Sequence, residues 1–199
     1  MSFIWWQWAS IEVLACCLTA MTTHLVMSLG QTVFHRYLGH RRIGGKFAAD
    51  HVHFHHGFYA DDHVVSENYQ DQERNNTPFF LVPVILVISL SYLFLPLDLF
   101  IIQLTAMSIS FYAHIYIDLQ YHVTDSWLGR YSWFRRKQQL HFVHHQRADC
   151  NFAAIDYFWD RLLGTYRSAE ASRQTAPGEF LTPMEIGAGG REAPPPLAN

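Results

Sequence analysis

Three long apolar tracts constrain what this chain can fold into more than any other feature. The first runs from Ile4 to Leu29, interrupted by Gln7, Ser10, Glu12, Thr19, Thr22, Thr23, His24 and Ser28; the second runs from Phe79 to Leu95 and the third from Leu97 to about Ile117. A helix needs about 20 residues to cross the hydrocarbon core of a bilayer, so the first tract fits one span. The other two are together too long for one. Leu95-Pro96-Leu97-Asp98 divides them, because proline cannot continue a helix, and a helical hairpin follows. Pro83 lies early in the second span and predicts a slight kink there. Only 16% of residues are charged and 50% are hydrophobic, whereas a soluble domain carries roughly 25% charge. The expected fold is therefore all-α, an integral membrane helical bundle with about three spans.

The first tract has no basic leader and is longer than the apolar core of a signal peptide, so it reads as a retained helix. Trp5, Trp6 and Trp8 suit an interfacial belt at its start, and Glu12 requires either the interface or a protein contact. All 14 Lys and Arg residues fall in two segments, five between the first and second spans (Arg36, Arg41, Arg42, Lys46, Arg74) and nine from Arg130 to Arg191. With three spans those segments share one side, and the positive-inside rule makes that side cytoplasmic. Every histidine cluster lies there too, which predicts a cytoplasmic, histidine-rich helical cap. One domain over 1–167 is expected, followed by a flexible tail over 168–199 rich in Ala, Gly, Pro and Ser. A net charge of -3 with 13 histidines excludes the basic footprint of a nucleic-acid binder. Cys16, Cys17 and Cys150 make no C-x-x-C pair, so any metal is held by nitrogen and oxygen.

Those histidines carry the chemistry. In His141-Phe-Val-His144-His145 the spacing i, i+3, i+4 sets three imidazoles on one helical face. In His51-Val-His53-Phe-His55-His56, His51 and His55 share a face while His53 points away, which makes His51, His55 and His56 the expected ligands. His35 and His40 stand about 140° apart on an ideal helix, so they can share a metal only if the helix ends or distorts near Gly39. His114, Asp118 and His122 recur every four residues near the end of the third span, with Asp118 and His122 the favoured ligands and His114 either a further functional residue or a hydrogen-bond partner of a neighbouring helix. His24 lies about 16 Å deeper than His35 along the first helix and reads as a polar lining or packing residue. Asp61, Asp62 and His63 follow closely, either to orient the rings of the second cluster, as carboxylates commonly do, or as solvated loop residues. The ligand set is thus His35, His40, His51, His55, His56, Asp118, His122, His141, His144 and His145, too many for one ion and enough for two.

This order of histidine boxes, followed by Asn151-Phe152 and then Trp159-Asp160-Arg161-Leu162-Leu163-Gly164-Thr165-Tyr166, resembles the membrane fatty acid hydroxylase and sterol desaturase superfamily over about Thr32 to Arg167. The resemblance implies two iron ions held by histidine at the cytoplasmic surface of the bacterial inner membrane or endoplasmic reticulum. It implies O2-dependent hydroxylation or desaturation of a fatty acyl, sterol or related lipid. Because no nucleotide fingerprint or fused haem domain is visible, electrons must come from a separate ferredoxin-like or cytochrome b5-like donor. Asp118 stands where fatty acid 2-hydroxylases have histidine, and Asp118-Leu-Gln-Tyr-His122 is similar to an element of small carotenoid hydroxylases, which makes those enzymes the nearest alternative. Zinc suits the same ligands, so a non-catalytic zinc-binding membrane protein or metal transporter is a second. A membrane cytochrome would need histidines paired across spans at one depth, and here they cluster outside the spans.

Overall fold

The computed structural model describes residues 2–60, 63–70 and 77–169, with side chains described from residue 10 onward except over 77–83. The side chains of Trp5, Trp6 and Trp8, as well as Asp61, Asp62, Arg74, the ring of Pro83 and the tail beyond 169, lie outside what is described. Among the described residues all regular structure is helical, apart from one isolated bridge between Ser66 and Val123.

The long helix α1 (Ser2–Phe34) runs into a π-helical turn at His35–Gly39, a 3-10 turn at Arg42–Gly44, a short α2 (Lys46–Asp50) and a second π-helical segment at His51–His56. The hairpin follows as α3 (Thr77–Phe94) and α4 (Leu97–Tyr121). The break falls where proline was expected to impose it, with Pro96 flanking α4 at φ -54 and ψ 149. Beyond it come a 3-10 turn at Trp127–Arg130, α5 (Ser132–Gln146) and α6 (Phe158–Leu162). Among the described residues, two helical stretches are long and apolar enough to cross a membrane, Ser10–Gly39 and Leu97–Tyr121, and Val84–Phe94 is a shorter apolar stretch in the expected second span.

Helix α1 packs along α4, and the faces in contact are polar for their setting. Thr23, Ser28 and Thr32 of α1, with Ser110 and His114 of α4, are all buried. His24 Nδ1 is 3.0 Å from Ser110 Oγ, and its Nε2 is 3.1 Å from Asp156 Oδ2. Ser28 Oγ donates to that same carboxylate oxygen at 2.6 Å, so Asp156, in the loop before α6, is tied to α1 by two partners. An ionisable group beside apolar helices is stable only when paired in this way. His24 is thus the hydrogen-bonded packing residue that its depth suggested. Glu12, for which a protein contact was one option, is exposed.

The end of α4 and the segment after it share a small core, in which Tyr121, Leu128 and Phe134 pack together with Ile117 at the edge. It seats the start of α5 against the end of α4. That contact fixes the direction in which the remaining turns of α5 project their histidines.

Candidate metal centre

Nine imidazoles from four segments converge into two groups. His35, His40, His51, His56 and His144 form one, and His55, His122, His141 and His145 form the other; in each group one ligand atom per residue lies within 4.8 Å of all the rest. Nine of the ten expected ligands are brought together. Asp118 is not: its Oδ1 lies 3.6 Å from His141 Nδ1, on the ring edge away from the Nε2 that approaches His122 and His145. It sits behind a ligand candidate instead of among them. His114 also stays out, with Nδ1 donating to the Ser110 carbonyl at 2.6 Å, and so does the exposed His53, in edge contact with Phe54. His63 packs on Phe58.

The π-helical turns explain the grouping. Hydrogen bonding from i to i+5 adds a residue to the turn, so positions five apart stack instead of diverging. His35 and His40 bracket one such turn, and their Nε2 atoms stand 3.2 Å apart. His51 and His56 bracket the other and join the same group, whereas His55, expected beside His51 on α-helical spacing, turns into the second group. The same division occurs on α5, where the neighbours His144 and His145 face different groups. Gly39 keeps the first turn tight, since a Cβ there would stand 3.0 Å from His35 Cδ2 and 3.3 Å from His51 Cδ2. Gly39→Ala should push both rings off position and weaken metal binding by about 10- to 100-fold, the usual cost of disturbing ligand orientation. Metal titration of the purified variant measures this, and unchanged affinity would show that the turn has slack.

Backbone carbonyls set the tautomers. Nδ1 donates from His35 to Phe152 O at 2.6 Å and from His144 to Cys150 O at 2.7 Å. In the second group it donates from His122 to Val64 O at 2.8 Å and from His145 to Tyr59 O at 2.8 Å. Each neutral ring then carries its lone pair on Nε2, directed inward. Where two such rings meet, as His35 and His144 do at 3.1 Å, the contact is between acceptors; His51 approaches His35 at 3.0 Å. The second group repeats the short spacing at 2.9 Å for His122 with His141 and 3.1 Å for His141 with His145. His56 Nε2 is buried with no hydrogen-bond partner. Lone pairs facing one another at such distances repel unless a cation lies between them, so the donor set suits metal ions.

The loop supplying two of those carbonyls is held by the Trp159–Tyr166 segment. Asp160, fully buried, accepts from Phe152 N at 2.8 Å, Ala153 N at 2.9 Å and Thr165 Oγ1 at 2.6 Å. Asn151, at a left-handed φ of 53, donates Nδ2 to Leu140 O at 3.1 Å and accepts from Arg167 N at 2.8 Å. Asparagine tolerates that conformation better than most residues. Asp160 and Asn151 were visible in the sequence only as parts of a motif, without the carbonyl link that gives them a role.

Burial is the first cause holding His35, His40, His55, His56, His122, His141, His144 and His145 neutral, and repulsion from neighbouring rings adds to it. His40 is lowered to about 3 by burial and then His51. His122 falls to about 4, mainly by burial, against the Val64 carbonyl that favours its charged form. His55, His56, His141, His144 and His145 all lie well below the ordinary 6.5. In the unfolded chain these groups protonate near 6.5, so the metal-free fold has its full share of stability above that value. It loses stability as pH falls from 6.5 toward 4, by up to about 1.4 kcal/mol per pH unit for each buried ring. Thermal unfolding of metal-free protein between pH 8 and pH 5 should therefore show a steadily falling midpoint. A flat profile would mean that the rings are solvated without metal.

No curated protein and no solved structure matches the chain. The family model described as Fatty acid hydroxylase matches residues 20–165, which takes in both groups of histidines and most of the Asp160 segment. On that match the chain belongs to the fatty acid hydroxylase family, within the fatty acid hydroxylase and sterol desaturase superfamily.

Proposed function

We propose that the chain is a membrane-embedded di-iron oxygenase that hydroxylates or desaturates an unactivated C–H bond of a lipid. Dioxygen is the oxidant and electrons come from a separate donor protein. The observation that carries this reading is the division of nine imidazoles, six buried and three half-buried, into two adjacent groups of mutually close ligand atoms.

Iron is favoured over zinc by the inward spacings. With metal–nitrogen bonds of about 2.1 Å, tetrahedral neighbours stand about 3.4 Å apart and octahedral ones about 3.0 Å. The closest Nε2–Nε2 separations, 2.9 to 3.2 Å, agree with the octahedral figure, and five donors in one group exceed a tetrahedral zinc site. Two irons, when bound, supply dioxygen reduction and C–H oxidation.

The chain's own part is to hold and shield that pair. His35, His40, His51, His56 and His144 hold one ion; His55, His122, His141 and His145 hold the other. The carbonyls of Val64, Tyr59, Cys150 and Phe152 keep the rings in the tautomer that presents Nε2 to metal. Asp118 faces Nδ1 of His141 and orients it, as carboxylates do behind metal-bound imidazoles. Burial of the rings excludes water from the site. With α3 as a third span, the basic segments and the cap share the cytoplasmic side, and the acyl or isoprenoid chain enters the cap from the bilayer.

The test compares lipid extracts of cells with and without the chain, grown under isotopically labelled dioxygen. A lipid that appears only with the chain, either carrying the label or with one more double bond, is the expected result. Unchanged lipids, with zinc as the only metal in the purified protein, would replace this reading with the non-catalytic one.

A further inference from the structure

An exposed aromatic and basic patch lies where α4 leaves the membrane in the three-span reading, and the metal centre has no use for it. Twenty residues of α4 counted from Leu97, at 1.5 Å each, end at Tyr116 about 30 Å away, the thickness of the hydrocarbon core. Tyr112 and Tyr116, one turn apart, are 69% and 42% exposed. Trp127 Nε1 donates to Tyr116 Oη at 2.7 Å. Trp127 meets Tyr131 edge-on at 6.1 Å, and Tyr131 stacks with Trp133 at 6.3 Å. These three large rings are 53%, 39% and 45% exposed, a cost in water that amphipathic rings avoid at a bilayer interface.

Cations are interleaved with the rings. The Arg130 guanidinium lies 5.0 Å over Trp127 and 4.8 Å over Tyr131, and Lys137 Nζ lies 5.7 Å over Trp133. Arg135 is exposed beside them, held by its Nη1 donating to Gly129 O at 2.7 Å. From Ser126 to Ala148 the sequence contains Arg130, Arg135, Arg136, Lys137 and Arg147 and neither Asp nor Glu. We propose that this patch binds the phosphate headgroups of anionic phospholipids, the rings seated in the interface and Arg130, Arg135 and Lys137 on the phosphates. Continuity of the rings with the outward side of α4, at the depth where the hydrocarbon ends, favours a lipid over a protein partner. The proposal rests on reading α4 as a span.

The test uses the full chain in vesicles of brominated phosphatidylcholine, with or without brominated phosphatidylglycerol. The emission of Trp127 and Trp133 is taken as the difference between wild type and the double variant W127F/W133F. Quenching by either lipid reports that the rings sit in the bilayer. Phosphatidylglycerol should be enriched about fivefold at these rings, the effect of about 1 kcal/mol from one basic residue at a charged surface. The triple variant R130Q/R135Q/K137Q, shown to be folded by its helical circular dichroism, should lose that preference. Equal quenching by the two lipids overturns the headgroup site while leaving the span intact, whereas no quenching by either overturns both. If the triple variant keeps the preference but loses binding to a small acidic ferredoxin, the patch serves a protein and the proposal fails.

Discussion

Asp160→Ala is expected to strip metal from the five-histidine group and to abolish turnover, although Asp160 is not one of the proposed metal ligands. Its carboxylate receives two backbone N–H groups and one hydroxyl, and alanine leaves those donors buried and unpaired. Each such donor costs about 1 to 3 kcal/mol, so three of them destabilise the fold by at least about 3 kcal/mol. The specific consequence travels through the loop. Phe152 O and Cys150 O accept from His35 and His144, so a loop that drifts releases the tautomers of two rings in one group and of none in the other. Asp160→Asn separates the two effects, because it keeps the volume and one acceptor oxygen and replaces the other with a donor. That variant should fold, retain metal in the four-histidine group and bind the other ion about 10- to 100-fold more weakly. Metal analysis beside thermal unfolding decides the matter. Equal loss from both groups, or loss of stability with normal metal content, would show that Asp160 only holds the fold together.

His144→Ala and His145→Ala should each abolish lipid oxidation and each remove a different ion. His144 belongs with His35, His40, His51 and His56; its neighbour belongs with His55, His122 and His141. Under the two-metal reading each variant purifies with about half the wild-type iron. Their spectroscopic signatures should be complementary, one retaining the five-histidine environment less a ligand and the other the four. If both variants lost all metal the groups would bind as one cooperative unit, and if either retained full activity the site assignment would fail.

Much of this centre was legible in the sequence because imidazole clusters at helical spacing have few other uses. The hairpin break at Pro96 was legible for an equally local reason, the missing N–H of proline. The division of the histidines was not. α-Helical geometry pairs His51 with His55, and the π-helical turn that pairs His51 with His56 instead is an arrangement of backbone hydrogen bonds with no residue signature of its own. The same holds for the four carbonyls that set the tautomers, since every residue carries one. Asp118 was placed among the ligands because its spacing continues that of His122; the structure puts it behind His141, which lies on another helix, and spacing along one helix cannot report that. Asp156, which pairs with His24 across 132 residues of sequence, gave no local signal at all.

Two pairs of consecutive residues straddle the two groups: His55 with His56, and His144 with His145. Their ring centroids lie 5.5 Å and 5.8 Å apart, and one peptide unit joins each pair. Under the proposed two-metal reading the interval between the ions would therefore be gauged by covalent geometry at two independent places, and not by how loops or spans happen to settle. Bilayer thickness, bound lipid or a docked partner can alter what reaches the centre. They have no lever on its internal spacing short of unwinding α5 or the turn at His51–His56.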